Sequence, residues 1–310
     1  MKELLLEMIV CPVCLPDEIG LAARIIEEER GDISEGRLTC PRCGGVYPIR
    51  EGIAFLAPPA PAEADSKYES APVASSYLWS HYADILGDPE ASSAYREWAG
   101  LLSGSSGVAL DIGSAVGRFS FEMSRTHDFV VGVDRSAPFV RIARELMIRG
   151  RKSVTLRQEG LLTREETVVL PETWRAGRVE FIVADALALP FRSGRFSTVA
   201  ALNVLDRVPL PLKHLREANR VAREQEARFL FSDPFSWSAE IAREENWLGG
   251  KEQGPYAGRG IGNVIALIEG KDRLLLPAWR IARQGDVWWK LRNHANHFEL
   301  IRSLFVTAER

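Results

Sequence analysis

Between residues 108 and 233, short β-branched apolar runs alternate with segments whose apolar positions recur at helical spacing. The runs are VALDIG (108–113), FVVGVD (129–134), VEFIVAD (179–185), STVAALN (197–203) and ARFLFSD (227–233). Helical stretches start near Arg118, end at Gly150 and span about 211–224. Strands that alternate with helices call for right-handed crossovers, and hence a doubly wound, mainly parallel α/β sheet with helices on both faces. The stretch 151–178 is surplus to that alternation, and SVTLRQEGLLTREETVVL reads as a β-hairpin inserted before the third core strand. Upstream, Leu78, Tyr82, Ile85, Leu86, Tyr95, Trp98 and Leu102 recur at helical spacing around a Gly87-Asp88-Pro89 turn, which predicts two helices leading into the core. Trp288 and Trp289 are expected in the core of the closing strands, with no chemistry.

Residues 1–56 form a turn-rich unit, and residues 57–75 (APPAPAEADSKYESAPVAS) have the Pro, Ala, Ser and charge of an exposed connector, leaving 76–310 as the large domain. A chain of 310 residues accommodates one large and one small domain, and 46% hydrophobic against 26% charged residues suffices for a sizeable core. No apolar run approaches the roughly 20 residues that cross a bilayer. The opening MKELLLEMIVCPVC enters a Cys-Pro-x-Cys turn with no small-residue cleavage site, so no signal peptide is read and a cytoplasmic address is expected. A net charge of −3 and a pI near 6.1 offer polyanions no global attraction, so nucleic acid is an unsupported partner, while oligomeric state stays open.

All four cysteines lie within the first 43 residues, which leaves the large domain no thiol for nucleophilic catalysis. Cys11-Pro-Val-Cys14 and Cys40-Pro-Arg-Cys43 are two Cys-x-x-Cys knuckles whose four thiolates can surround a tetrahedral ion. Two disulfides or reduced thiols are the alternative, disfavoured without a secretion signal. Four protein ligands leave no open position, so zinc here is expected to be structural, in a small zinc-ribbon domain. The ending Tyr47, Pro48, Ile49, Gly52, Ile53 and Leu56, with the knuckles, resembles the Trm112-like zinc-binding family over nearly all of residues 1–56. That resemblance implies partnership with, or fusion to, a methyltransferase, and a stabilising or substrate-guiding role.

The strand VALDIG runs into Asp111-Ile-Gly113-Ser114-Ala115-Val-Gly117, with a carboxylate at the strand end and glycines in the turn that opens the next helix, as in a Rossmann-like cleft. A dinucleotide site calls for G-x-G-x-x-G, but Ala115 holds the middle position and Arg118 the last, which disfavours NAD. A ligand with adenosine and methionyl parts and no phosphate fits better. Asp111 would attract its ammonium, Gly113, Ala115 and Gly117 would let the backbone approach, and Asp134, about 20 residues on, would bond both ribose hydroxyls. Asp185 is expected at the adenine amino group, with Ala186 and Leu187 along the ring. These residues resemble the class I S-adenosylmethionine-dependent methyltransferases, with Asp111, Gly113 and Gly117 in the first motif and Asp134 and Asp185 in the next two.

A narrower resemblance, over about residues 107–310, is to the methyltransferase domain of ovothiol biosynthesis enzymes. It rests on ALDIGSAVGRFSFE, GRKSVTLRQEGLLT with VEFIVADA, ALNVLDRVPLP, SDPFSWSAE with ENWLGG, and LRNHANHF. It implies N-methylation of a small imidazole-like or amino-acid-derived acceptor. Methyl transfer from a sulfonium is an in-line displacement that gains most from positioning in a dry pocket. Candidate orienting groups are Asn203 (also a cofactor contact), Asp206, Arg207 and Asp233 at strand ends, with Trp237 and Trp247 in the loop that follows. His294 and His297, lacking a third ligand, read as surface or strand residues. Two other readings stay open. One is an RNA base methyltransferase using the ribbon's Arg37, Arg42 and Arg50, which predicts a salt-sensitive basic surface. The other is a non-catalytic scaffold, which need not keep Asp111, Gly113, Asp134 and Asp185.

Overall fold

The computed structural model describes residues 1–58 and 70–310, so that 59–69 of the expected 57–75 connector lie outside the described residues. The first unit is an antiparallel sheet in the order β1 (Ala22–Glu29), β2 (Asp32–Thr39), β3 (Val46–Arg50), β4 (Ile53–Ala54). Period-two alternation in β3 buries Tyr47 and Ile49 and exposes Val46 and Arg50. Helix α1 (Ala71–Tyr82) begins inside the stretch read as connector, with Pro72 in its first turn, where its fixed φ is compatible with a helix and its missing N–H costs nothing. Helix α2 (Ala94–Gly100) follows.

The large sheet is built from β5 (Val108–Ile112), α3 (Arg118–Met123), β6 (Phe129–Asp134), α4 (Ala137–Arg149), β9 (Val179–Val183), β10 (Thr198–Leu202), α5 (Pro211–Val221), β11 (Arg228–Asp233), α6 (Gly260–Ile268), β12 (Arg280–His294) and β13 (His297–Glu309). The inserted hairpin β7 (Arg151–Glu159) and β8 (Leu162–Val169) forms a separate two-stranded sheet, as its alternation predicts. The seven strands lie in the order β12-β13-β11-β10-β5-β6-β9. Strands β11, β10, β5, β6 and β9 are parallel, β13 is antiparallel to β11, and β12 to β13. The order reverses between β5 and β10, the switch point at which open α/β sheets leave a crevice beyond the strands' carboxyl ends. Among the described residues no helix is long and apolar enough to span a membrane.

Strand alternation divides the core. Leu110, Ile112, Val131 and Ile182 face a core that continues into Leu5, Ile9, Ile33, Leu38 and Leu56 of the first unit. Ala109, Val130, Phe181 and Leu230 face another that holds Trp79, Trp98, Phe119 and Phe121. The small unit therefore shares a hydrophobic core with the sheet. It also covers the β9 edge: Phe55 bridges Val183, Leu56 N donates to Val183 O at 2.7 Å, and Val10 N donates to Pro190 O at 2.9 Å. Buried Arg144 of α4 joins the two, bonding both oxygens of Asp32 at 2.6 and 2.7 Å and the fully buried Glu180 of β9.

One core expectation is corrected. Adjacent residues on a strand face opposite sides, so Trp289 is buried while Trp288 is 48% exposed under the Arg302 guanidinium. His294 and His297 sit at the turn of the β12–β13 hairpin, rings 5.6 Å apart, as surface strand residues.

Candidate functional site

A cavity of about 240 Å³ opens at the switch point, above the carboxyl ends of β5, β6, β9 and β10. Asp111, Gly113, Ser114, Ala115, Asp134, Asp185, Ala186 and Asn203 all line it, as does Arg207. Gly113 has φ +77°, and a Cβ there would lie 2.5 Å from Val204 Cγ2, so this turn admits only glycine without rearrangement. Ser114 is buried with its hydroxyl unpartnered among the described residues.

Asp134 Oδ2 accepts from Ala115 N and Oδ1 from Ser136 N, both at 2.8 Å, which fixes the carboxylate and leaves each oxygen a lone pair for a hydroxyl. Burial raises its carboxyl above the usual range. Asp185 is held likewise, Oδ1 accepting from Leu187 N at 2.8 Å. Asp111 is almost fully buried, and Ser120 Oγ donates to its Oδ2 at 2.6 Å. Burial, with the charge of Asp134 adding to it, pushes Asp111 up to about 7 against that hydroxyl bond. A buried carboxylate that lines the cavity and pairs with no cation among the described residues is poised for a cationic ligand group.

Asn203 follows β10 in the left-handed region, at φ +58°, its backbone N donating to Ser232 O at 2.6 Å. Its side chain is aimed by a relay from the closing strands: Trp289 Nε1 donates to Ser303 Oγ at 3.0 Å, and Ser303 Oγ to Asn203 Oδ1 at 2.6 Å.

Other expected site residues lie elsewhere. Gly117 does not reach the cavity; its missing Cβ makes room for Phe181 and Ala143, which an added carbon would meet at 2.7 and 2.9 Å, so it packs α3 against the sheet. Leu187 is likewise outside the lining. Asp206 and Asp233 are buried beneath the site and absent from its wall. Asp233 accepts from Phe235 N at 2.8 Å and Asp206 N at 3.3 Å, Asp206 from Ser236 N at 2.7 Å, so both carboxyls fasten the two loops together. Burial raises both, and the charge of Asp206 raises Asp233 further. Trp237 and Trp247 stack on each other at 6.1 Å outside the cavity, and Ile241 from their loop lines it instead.

The lining also holds ring-bearing residues not singled out as functional: Tyr77 and His81 of α1, Tyr95 of α2, Phe139 of α4 and Trp289 of β12. Tyr77 and His81 are four apart, so the helical repeat places them on one face; nothing local marks which face closes a cavity formed by distant segments.

In the small unit Cys11 Sγ lies 3.6 Å from Cys43 Sγ and Cys14 Sγ 3.7 Å from Cys40 Sγ, and all four sulfurs fall within 4.8 Å of one another. A zinc ion with Zn–S bonds of about 2.3 Å requires sulfurs about 3.8 Å apart in a tetrahedron, so the cluster fits zinc, and the cysteines are not disulfide-bonded. Tyr47 Oη at 3.3 Å from Cys11 Sγ and Gly45 N donating to Cys43 Sγ at 3.4 Å support the sulfurs.

Comparison with known proteins accords with this geometry. Residues 2–52 match the Trm112p-like protein family and residues 110–227 a methyltransferase domain family. No curated protein matches the chain. Similar solved structures include a SAM-dependent methyltransferase from Methanosarcina mazei (16% identity, TM-score 0.41, 66% of this chain and 92% of that one covered). Two others are the YcgJ protein from Bacillus subtilis (15%, 0.45, 69% and 99%) and a SAM-dependent methyltransferase from Aquifex aeolicus (16%, 0.40, 73% and 95%). The cleft with its strand-end carboxylates and the matched domain together make the chain an S-adenosylmethionine-dependent methyltransferase that carries a Trm112p-like domain with a four-cysteine cluster able to hold zinc.

Proposed function

We propose that the enzyme N-methylates a small imidazole-like or amino-acid-derived acceptor, related to the thiolated histidine of ovothiol biosynthesis. The observation that carries this reading is a wall of ring-bearing residues in the cavity lining, Tyr77, His81, Tyr95 and Trp289, with Arg207, which pairs with Asp206 at 3.3 Å, in the same lining. Such a wall suits a flat ring, and a guanidinium suits the carboxylate of an amino acid.

The donor, when bound, supplies a methyl group on a sulfonium. Asp111 would hold its ammonium, Asp134 its ribose hydroxyls, and Asp185 with Ala186 its adenine. The aromatic wall excludes water and holds the acceptor nitrogen in line; a neutral imidazole nitrogen is already nucleophilic, so orientation replaces a strong base. The inserted hairpin supports that wall: Arg157 N of β7 donates to Ser75 Oγ of α1 at 2.9 Å, and Ala295 N of the β12–β13 turn donates to Gln158 O at 2.9 Å. Two segments behind the narrower resemblance thus meet at the helix that carries part of that wall. The zinc domain grips residues 183 and 190, on either side of Asp185 and Ala186, which favours a positioning role for it on the adenine side.

The test is a labelled-methyl transfer screen with zinc-loaded protein, histidine-derived thiols against total RNA. Transfer to the small molecules supports the reading. Transfer confined to RNA and lost with added salt replaces it by the RNA alternative; the ribbon's Arg42 is already paired with Asp17.

A further inference from the structure

We propose that, with the ammonium of S-adenosylmethionine held at Asp111 as read above, Asn203 binds the carboxylate on the same carbon, and that Ser303 and Trp289 of the closing hairpin are positioning residues that turn the Asn203 amide nitrogen toward it. The identity of the methyl acceptor does not enter.

The indole sets the direction of the relay. A tryptophan N–H only donates, and Trp289 Nε1 donates to Ser303 Oγ at 3.0 Å, so the hydroxyl's single proton is left for an acceptor. Asn203 Oδ1 is that acceptor, at 2.6 Å. Ser303 is fully buried and stands outside the cavity lining, so Asn203 turns its carbonyl oxygen into the protein. The other end of the amide, Nδ2, makes no hydrogen bond among the described residues and keeps accessible surface, while Asn203 itself is partly buried and lines the cavity. The backbone at φ +58° suits this residue, because asparagine is one of the few non-glycine types that enter the left-handed region readily.

The neighbourhood says what the amide meets. Strand β10 runs parallel to β5, with Ala201 beside Ile112, so the residues that follow β10 adjoin the glycine turn that follows Asp111. Val204 abuts that turn, since a Cβ at Gly113 would lie 2.5 Å from its Cγ2. The backbone N–H groups of the turn are spent inside the protein. Gly113 N and Ser114 N donate to Val133 O at 2.8 and 2.9 Å, and Ala115 N donates to Asp134 Oδ2 at 2.8 Å. A carboxylate arriving there needs a side-chain donor, and Asn203 Nδ2 is one with its hydrogens uncommitted. An α-amino acid carries ammonium and carboxylate on one carbon, so a ligand whose ammonium sits at Asp111 brings its carboxylate to the adjoining strand end. A neutral amide holds that carboxylate without adding a cation that would compete with the ammonium for Asp111. Two anchors on one carbon set the direction of the methionyl chain, and with it that of the sulfonium methyl.

The test compares S-adenosylhomocysteine with its decarboxylated analogue, which keeps the ammonium and the adenosine. By calorimetry the wild-type protein is expected to bind S-adenosylhomocysteine about tenfold more tightly than the analogue. Ser303→Ala, which frees the amide to turn, is expected to cut that preference to about twofold while the analogue's affinity stays within about twofold of wild type. A loss common to both ligands would mark a purely structural role for Ser303 and overturn its positioning one. Asn203→Asp keeps the oxygen that Ser303 bonds, replaces Nδ2 by a second oxygen, and is expected to invert the preference. In protein labelled with 15N at asparagine, S-adenosylhomocysteine is expected to shift the Asn203 side-chain NH2 signals, assigned by their loss in Asn203→Asp, and the analogue to leave them near the ligand-free position. Equal affinities in the wild type, NH2 signals that both ligands move alike, or S-adenosylhomocysteine still preferred by Asn203→Asp would each overturn the proposal. Asp111→Asn is expected to weaken both ligands alike, which tests the ammonium assignment separately, so that either assignment can fail without the other.

Discussion

Asp111→Asn separates what the cofactor site needs from what the fold prefers. In the ligand-free protein the Asp111 carboxyl sits at about 7, against 3.8 for an unperturbed aspartate. The folded chain therefore binds more protons than the unfolded one between about pH 4 and 7, and stability falls as pH rises through that window. The displacement corresponds to a penalty on the order of 4 kcal/mol above pH 7, at 1.36 kcal/mol per pKa unit. With an unfolding entropy of about 2.1 cal/mol/K per residue, removing it would raise the melting temperature of the ligand-free protein by roughly 6 °C at pH 8, and by little at pH 4. The donor pulls the other way. Binding requires an ionised Asp111 and a protonated ammonium. Affinity for S-adenosylhomocysteine should thus rise about eightfold from pH 6 to about pH 7.4 and level off near pH 8, with about half a proton released per molecule bound at pH 7. Calorimetry across buffers of different ionisation enthalpy measures both quantities. Asp111→Asn should abolish the acid limb and weaken binding by about ten- to a hundredfold, the range of a lost charged hydrogen bond. A flat affinity between pH 5.5 and 7.5, or a variant destabilised at pH 8, would refute the reasoning.

Other perturbations probe the remaining joints. Asp134→Ala should weaken donor binding in the same titration, and unchanged affinity would remove its ribose role. Gly113→Ala, forcing a methyl to 2.5 Å from Val204 at φ +77°, should cost about 1–3 kcal/mol of stability by thermal melting and lower donor affinity, whereas neutrality would show that the turn yields. Arg144→Ala strands Glu180 between the two domains and should cost about 3–5 kcal/mol, or roughly 5–8 °C in melting temperature, most of which a further Glu180→Leu change should restore. Cys40→Ser, or chelation of zinc, should loosen the two segments that grip residues 183 and 190, so donor affinity should fall together with the melting temperature; loss of metal with neither change would make the domain independent of the site.

How far the sequence reveals this site depends on which physical rule speaks. Asp111, Asp134 and Asp185 are legible because each ends a β-branched run, and strand ends at a switch point converge whatever the loops do. The cysteines are legible because tetrahedral coordination imposes its own spacing. Asp233 shares that strand-end address and Asp206 lies in the turn after β10, yet their carboxyls bond loop amides, and direction within an irregular loop has no periodic signature. Gly117 carries a motif glycine's name for a packing reason. Trp288 and Trp289 show a rule available and unapplied: neighbours on a strand cannot both face the core. The aromatic wall is the hardest part, since Tyr77, Tyr95 and Trp289 come from opposite ends of the domain and meet only through long-range packing.

The central claim is tested most directly by a single turnover. Zinc-loaded protein is mixed with stoichiometric methyl-labelled donor and a histidine-derived thiol, and the label is located by mass spectrometry. The account predicts S-adenosylhomocysteine and a ring-nitrogen-methylated product in equal amounts. Label retained on the donor, or carried only by sulfur, carboxyl or added RNA, would contradict it.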